Sequence, residues 1–425
     1  MKKLSLLILL TFALVIAMAS CDLSNLPFLG GGEKENEQEE HIHAPSEATV
    51  ENAVDATCSS SGSYDEVVYC SDPECGAEIS REAKTTDVLS HKYTGGVCEL
   101  CSWNEAYSWG LQYTSTGDGA CTVSGIGSCT DKEIVISPVS PSGDRVTGIG
   151  FYAFSLCSEV ESILIPDSVT SVEMSAFFGC TALRNIVIPD SVTEIGEGAF
   201  SMCRALESAV LPSGLTTIPG SLFNGCIALT AVDIPSGVTT IGDWAFGDCE
   251  SLQSITLPDG LAILGNSSVR GCKSIKSITV PSAVIGIGEY TFRDCTSLEE
   301  IILPDGIKTI GDSAFRNCTS LTEIDIPDGV SFFGIYTFSG CTALTSIDIP
   351  EGIKGLSDGA FSECSALTSI VIPKSLTEIG DSIFSGCTSL ADVYYCGSEA
   401  EWSLITVSVG NELFTSANIH YNHIK

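Results

Sequence analysis

The chain has 425 residues, with 54 acidic against 19 basic side chains and a formal net charge of −35. That excess of carboxylates argues against nucleic acid and against an anionic lipid surface as partners, because both are held through Lys and Arg. Hydrophobic residues make up 44 %, enough for a sizeable core, and 41 Gly and 16 Pro without a collagen period indicate many turns.

The first residues read as an address. Lys2 and Lys3 precede an apolar run from Leu4 to Met18, followed by Ala19-Ser20-Cys21. A basic start, a short apolar stretch and a small-residue exit make residues 1–20 an export signal, too short for a membrane span. Two processing routes fit. Small residues directly before a cysteine resemble the bacterial lipoprotein signal, which makes Cys21 the acylated first residue and anchors the chain by lipid; Met18 stands where such signals usually carry Leu. Ordinary cleavage after Ala17-Met18-Ala19 also fits and yields a secreted chain. Residues 21–56 then read as an acidic tether, since the run GGGEKENEQEE from Gly30 to Glu40 has few apolar side chains to hold a fold.

Residues 57–105 read as a small cysteine-rich module. Cys70 and Cys75 are separated by four residues, Cys98 and Cys101 by two, and Cys58 and His91 lie nearby. Four thiolates at such spacings suit one structural Zn²⁺, which staples a segment too small to bury its own core. In an exported chain the same cysteines also suit disulfides. Cys58 or His91 could take the place of one ligand, and a module with neither zinc nor disulfides is the third reading; all three are structural, as no open coordination position or His/carboxylate set points to a catalytic metal.

Beyond residue 145 a repeat takes over. Eleven cysteines fall at 157, 180, 203, 226, 249, 272, 295, 318, 341, 364 and 387, always 23 apart. Ten prolines from Pro166 to Pro373 keep the same step, and a Phe lies three residues before every cysteine except at Val269. A fixed period of this size means stacked coils. In the coil Leu344-Thr345-Ser346-Ile347-Asp348-Ile349-Pro350, the apolar positions follow the L-x-x-L-x-L spacing of a leucine-rich repeat strand. Alternation points the isoleucines inward, and proline, lacking an N–H, ends the strand. The Ile-Gly pair, as at Ile241-Gly242 and Ile310-Gly311, suggests a turn with positive φ, and stretches such as Asp312–Phe315 suit one helical or 3₁₀ turn. The cysteine column reads as small buried hydrophobes. All five histidines (41, 43, 91, 420 and 423) lie outside the repeats, so a metal ladder is not expected. The expected fold class is therefore an α/β repeat, mostly β: a solenoid of 23-residue coils with parallel strands, preceded by the cysteine-rich module.

This consensus of recurring Ile-Pro, Ile-Gly, Ala-Phe and Cys over residues 146–395 resembles the BspA-like leucine-rich repeats of bacterial surface proteins. Residues 106–145, with Asp118-Gly119 to Thr130 and Ile134-Val135-Ile136, resemble the strands that open such a solenoid. Residues 396–425, with Trp402, Ile405 and Ile419-His420-Tyr421-Asn422, resemble its C-terminal cap. The resemblance implies adhesion or recognition of host, matrix or neighbouring-cell molecules.

Neither G-x-S-x-G, H-E-x-x-H, a P-loop nor G-x-G-x-x-G occurs, so no enzyme is expected. The outward strand positions are the candidate partner-binding face. Two residues before each proline they run Leu164, Val187, Val210, Asp233, Thr256, Thr279, Ile302, Asp325, Asp348 and Val371. With Glu300 and Glu323 beside them, Asp325 and Asp348 should form an acidic cluster, opposite an apolar patch at the N-terminal end. Its expected partner is a protein or glycan at the cell surface, met by a monomer whose only membrane contact is the lipid anchor. A basic segment or, secondarily, Ca²⁺ would dock on the carboxylates. A carbohydrate- or peptide-binding module for uptake or sensing, and a plain surface spacer, are the alternatives.

Overall fold

The computed structural model describes residues 49–54, 62–69, 78–86, 93–94, 97–98 and 106–424. They fall into two compact units that divide after Asn104.

In the first unit, Thr49–Val54, Gly62–Tyr69 and Glu78–Thr86 form an antiparallel sheet in that order, and Tyr93–Thr94 pairs with Val97–Cys98. Thr49–Val54 comes from the end of the stretch that reads as tether. Its β-branched Thr49 and Val50 suit an edge strand, and Arg81 holds it by reaching Glu51 at 3.0 Å across Asp65 at 2.9 Å. Cys21, Cys58, Cys70, Cys75, His91, Cys101 and the run 30–40 lie outside the described residues, as does the side chain of Cys98.

The second unit is the solenoid. Most coils supply a first strand of two to four residues, a second strand that is two residues long except at Arg145–Ile149, and a turn segment that returns the chain. The first strands run parallel, each one repeat after the last: Ser162–Leu164 pairs with Asn185–Val187, which pairs with Ser208–Val210. Second strands pair in the same way, Thr217–Ile218 with Thr240–Ile241 and that with Ile263–Leu264. The expected alternation holds: Ile347 and Ile349 are buried, Ser346 and Asp348 exposed.

The phenylalanines form one internal column. Neighbouring rings stack with centroids 5.0–5.9 Å apart from Phe154 to Phe246 and 5.4–5.8 Å apart from Phe292 to Phe384. Val269 interrupts the stack and is itself fully buried. One coil cannot bury such a ring; its neighbours on both sides do so.

The turn segments correct two expectations. They are not helical. Alternate N–H groups bond locally, as Ala314 N to Gly311 O and Arg316 N to Ser313 O. Those between them bond to the next coil: Ser313 N to Ile335 O, Phe315 N to Thr337 O and Asn317 N to Ser339 O. The cause is a pair of left-handed residues in every coil, such as Ser313 (φ 52°) and Asn317 (φ 61°), which turn every second amide along the solenoid axis. Both positions recur once per coil, from Tyr152 to Ser382 and from Leu156 to Gly386. The glycine of the Ile-Gly pair, in contrast, does not have positive φ. A Cβ on Gly311 would lie 2.8 Å from Glu289 N, and one on Gly242 2.6 Å from Gly220 N. Glycine is needed there because backbones of successive coils touch.

The ends are covered. Gln112–Ser115 pairs antiparallel with Ala120–Gly125, which joins Arg145–Ile149 at the first second-strand edge. At the other end Asn418–His420 adds to Asp392–Tyr395, and Phe414 stacks on Phe384 at 4.6 Å, closing the aromatic column. The short helix Glu399–Trp402 is capped reciprocally by Ser398 and Glu401. Among the described residues no helix is long and apolar enough to cross a membrane.

One coil carries a local defect. Six coils place Ala before the column Phe (153, 176, 199, 245, 314 and 360), but Ser268 stands there beside Val269. Its Oγ is buried without a hydrogen-bond partner. Thr291 and Thr337, at the same position in other coils, donate to the carbonyls of Gly288 and Gly334. Ser268→Ala removes an unmet buried hydroxyl and is expected to stabilise the solenoid by about 1 kcal/mol. A thermal melt that drops instead would mean that the hydroxyl has a partner.

Candidate binding surface

The exposed side of the first strands is built by alternation alone, since every inward residue leaves its neighbour facing solvent. Leu164, Val187 and Val210 are Cα partners on three successive strands and are 61, 57 and 55 % exposed. They form an apolar stripe that the fold does not bury. Asp233 and Thr256 continue the same position and are exposed.

Glu300, Glu323, Asp325 and Asp348 are all exposed. Glu300 stands in Glu300–Ile302 opposite Ser277, and Asp348 in Ser346–Asp348 opposite Val371. Glu323 and Asp325 fall in the coil between, where residues 321–327 carry no strand pairing. A similar gap covers 252–257, so the first-strand ladder is divided into sheets of five, two and four strands. Among the described residues none of the four carboxylates has a side-chain hydrogen bond or ion pair, whereas neighbouring Glu299 lies 3.9 Å from Lys276.

The second-strand ladder is also interrupted, between Ile195 and Thr217, Leu264 and Gly286, and Phe333 and Gly355. A shallow groove lies at the last of these breaks, lined by Phe332, Ile335, Lys354, Leu356, Asp358 and Glu378.

The cysteine column does more than fill space. Each thiol from Cys180 to Cys387 donates to the carbonyl of the Phe or Val that lies one coil before its own column residue, as Cys318 Sγ to Phe292 O at 3.2 Å and Cys341 Sγ to Phe315 O at 3.1 Å. That carbonyl also accepts the amide of its own coil's cysteine, Cys295 N or Cys318 N, so both lone pairs are used. The repeat cysteines are free thiols, not disulfides. Burial pushes Cys226, Cys295 and Cys341 up to about 12, which keeps the thiols protonated as donors to these carbonyls. Among the described residues no group of three or more His, Cys, Asp or Glu could hold a metal ion.

Sequence reasoning missed one set of side chains. Arg270, Arg293 and Arg316 occupy the same place on three successive turn segments, each one repeat after the last. The spacing was the available signal; it hides because the other coils put unrelated residues there.

A family comparison agrees with this repeat architecture. A family model described as BspA type leucine rich repeat region (6 copies) matches residues 147–276, 216–342 and 262–391. A solved leucine-rich repeat protein from Bacteroides ovatus ATCC 8483 is 26 % identical over 74 % of this chain and 98 % of its own, with a TM-score of 0.47. A leucine rich cell surface protein from Faecalibacterium prausnitzii A2-165 is 26 % identical over 76 % of this chain and 99 % of its own, with a TM-score of 0.46. A search of curated proteins returned no match.

Proposed function

The chain belongs to the BspA-type leucine-rich repeat family, and on that premise we propose that it is a non-enzymatic recognition protein of the cell surface. It binds a macromolecular partner, protein or glycan, through the outward side of its first strands. The observation that carries this reading is the composition of that side. Leu164, Val187 and Val210 expose a continuous apolar stripe, and further along Glu300, Glu323, Asp325 and Asp348 present carboxylates with no intramolecular partner among the described residues. The fold needs neither feature. A partner with an apolar anchor and a basic segment complements both.

The test starts from the full chain screened on matrix-protein and glycan arrays. For a partner so found, Glu323→Lys, Asp325→Lys and Asp348→Lys together are expected to weaken binding at least tenfold while far-UV circular dichroism stays unchanged. Binding at full strength would remove this face from the function.

The proposal extends to the N-terminal region. Export is followed by acylation of Cys21, which tethers the solenoid to the membrane, and Cys70, Cys75, Cys98 and Cys101 hold one structural zinc. Intact-mass measurement for the acyl chain and elemental analysis for zinc test these two points; a secreted chain without lipid, or cysteines found as disulfides, would overturn them.

A further inference from the structure

The turn face of the solenoid, remote in the coil from the first strands, carries Arg270, Arg293 and Arg316. Only seven arginines occur in the chain, and these three stand on successive coils. Each guanidinium lies over an aromatic ring: Arg270 over Trp244 with its carbon 4.8 Å from the ring centroid, Arg293 over Tyr290 at 5.6 Å, and Arg316 over Tyr336 at 5.4 Å. Trp244, Tyr290 and Tyr336 themselves recur on every second coil. All three occupy the left-handed position that starts the turn segment. The result is a ridge in which aromatic rings hold the guanidinium planes in place.

The charge on this ridge is poorly compensated. Asp294 alone pairs with it among the described residues, 3.8 Å from Arg270 Nε and 3.3 Å from Arg293 Nε, and Asn317 fixes that carboxylate with a 2.8 Å hydrogen bond. Arg316 has no carboxylate partner among them. Nε of all three is buried without a hydrogen bond. The terminal Nη groups bond to no described residue, and the side chains of Arg270 and Arg293 stay 29 and 26 % exposed. Three like charges on successive coils are thus offset by one carboxylate among the described residues, which leaves the ridge with a net positive charge.

We propose that this ridge is a binding site for an acidic glycan, with sugar carboxylates accepting from the outward Nη edges of Arg270, Arg293 and Arg316. A planar carboxylate matches the guanidinium fork in bidentate fashion. Nucleic acid is disfavoured because duplex DNA presents a phosphate charge about every 1.7 Å, which three cations on a chain of −35 cannot offset, whereas an acidic glycan spaces its carboxylates at one per sugar. A peptide docking by strand addition would draw on free main-chain groups. Here the amides of Ser267, Val269, Gly271, Phe292, Asp294 and Ser313 are already bonded to the next coil. What remains is side-chain charge on a rigid aromatic support, which suits carboxylates borne on a polymer without a backbone to pair. This site is independent of the first-strand face.

The test uses the full chain with polygalacturonate as probe and neutral dextran as control, in affinity electrophoresis at low and high salt. Wild-type protein is expected to be retarded by polygalacturonate only, and less so at high salt. The variant Arg270→Gln, Arg293→Gln, Arg316→Gln is expected to lose at least tenfold in affinity, while the triple reversal at Glu323, Asp325 and Asp348 leaves retardation no weaker. Should the triple arginine variant melt early, Arg316→Gln alone carries the test, because no ion pair of the described residues is lost with it; a loss of several-fold is expected. Failure of wild-type protein to bind polygalacturonate, or equal retardation of the arginine variants, would overturn the proposal.

Discussion

Phe315→Ala is expected to cost the solenoid about 3–5 kcal/mol. The ring is fully buried and stacks on Phe292 and on Phe338, each at 5.4 Å. Its removal opens a hole that neither neighbour can close, because each is held by the next coil. The change also weakens the seam on both sides, so the melt should broaden as the array loses coupling between its two halves. Val269→Phe is the matching control. It restores a ring at the one break in the column, between Phe246 and Phe292, and is expected to be neutral or stabilising. Thermal melts of both variants check the pair; equal tolerance of the two changes would mean that the column does not hold the core together.

The second large effect is alkaline. Eight thiols from Cys226 to Cys387 are raised above their ordinary 9.0, chiefly by burial. Below pH 9 each is protonated in both the folded and the unfolded chain and contributes fully. Above it the unfolded chain releases protons that the folded chain retains up to about pH 12. Unfolding is then favoured by about 1.4 kcal/mol per thiol per pH unit. The midpoint temperature in reducing buffer should therefore fall steeply between pH 9 and 11 while changing little from pH 7 to 8.5. Cys318→Ala with Cys341→Ala should make that fall shallower, although it lowers stability at neutral pH by removing two donors. A midpoint that stays level to pH 11 would show that the thiols are not sealed inside.

Much of the architecture was legible because stacking repeats the same demand in every coil. Phe, Cys, Pro and the alternating isoleucines each answer one local need, and the period exposes them. The left-handed positions were hidden because unrelated residues satisfy them: Ser, Tyr, Trp and Gly at the first, and Leu, Met, Asp, Asn, Glu and Gly at the second. The Ile-Gly glycine misled for the opposite reason. Glycine is the familiar sign of positive φ, yet at Gly242 and Gly311 it answers a close approach between backbones that one sequence position cannot display. The thiols were readable as buried but not as donors, since their acceptors lie more than one coil away along the chain. On the candidate face, exposure of Glu300, Glu323, Asp325 and Asp348 followed from alternation. The loss of strand pairing at 321–327 did not, because the local sequence there matches its neighbours.

The central claim is that coils lie in register, each one repeat after the last, and share one core. Excising residues 296–318 removes one whole coil and brings Cys295 to the place of Cys318, so the deletion protein should keep its circular dichroism spectrum and melt cooperatively. Excising residues 296–313 instead places every downstream Phe and Cys out of step and should unfold the C-terminal half. Comparing the two melts is the most direct measurement. Survival of the first and collapse of the second is the predicted result; equal behaviour of the two proteins would contradict a register set by the repeat.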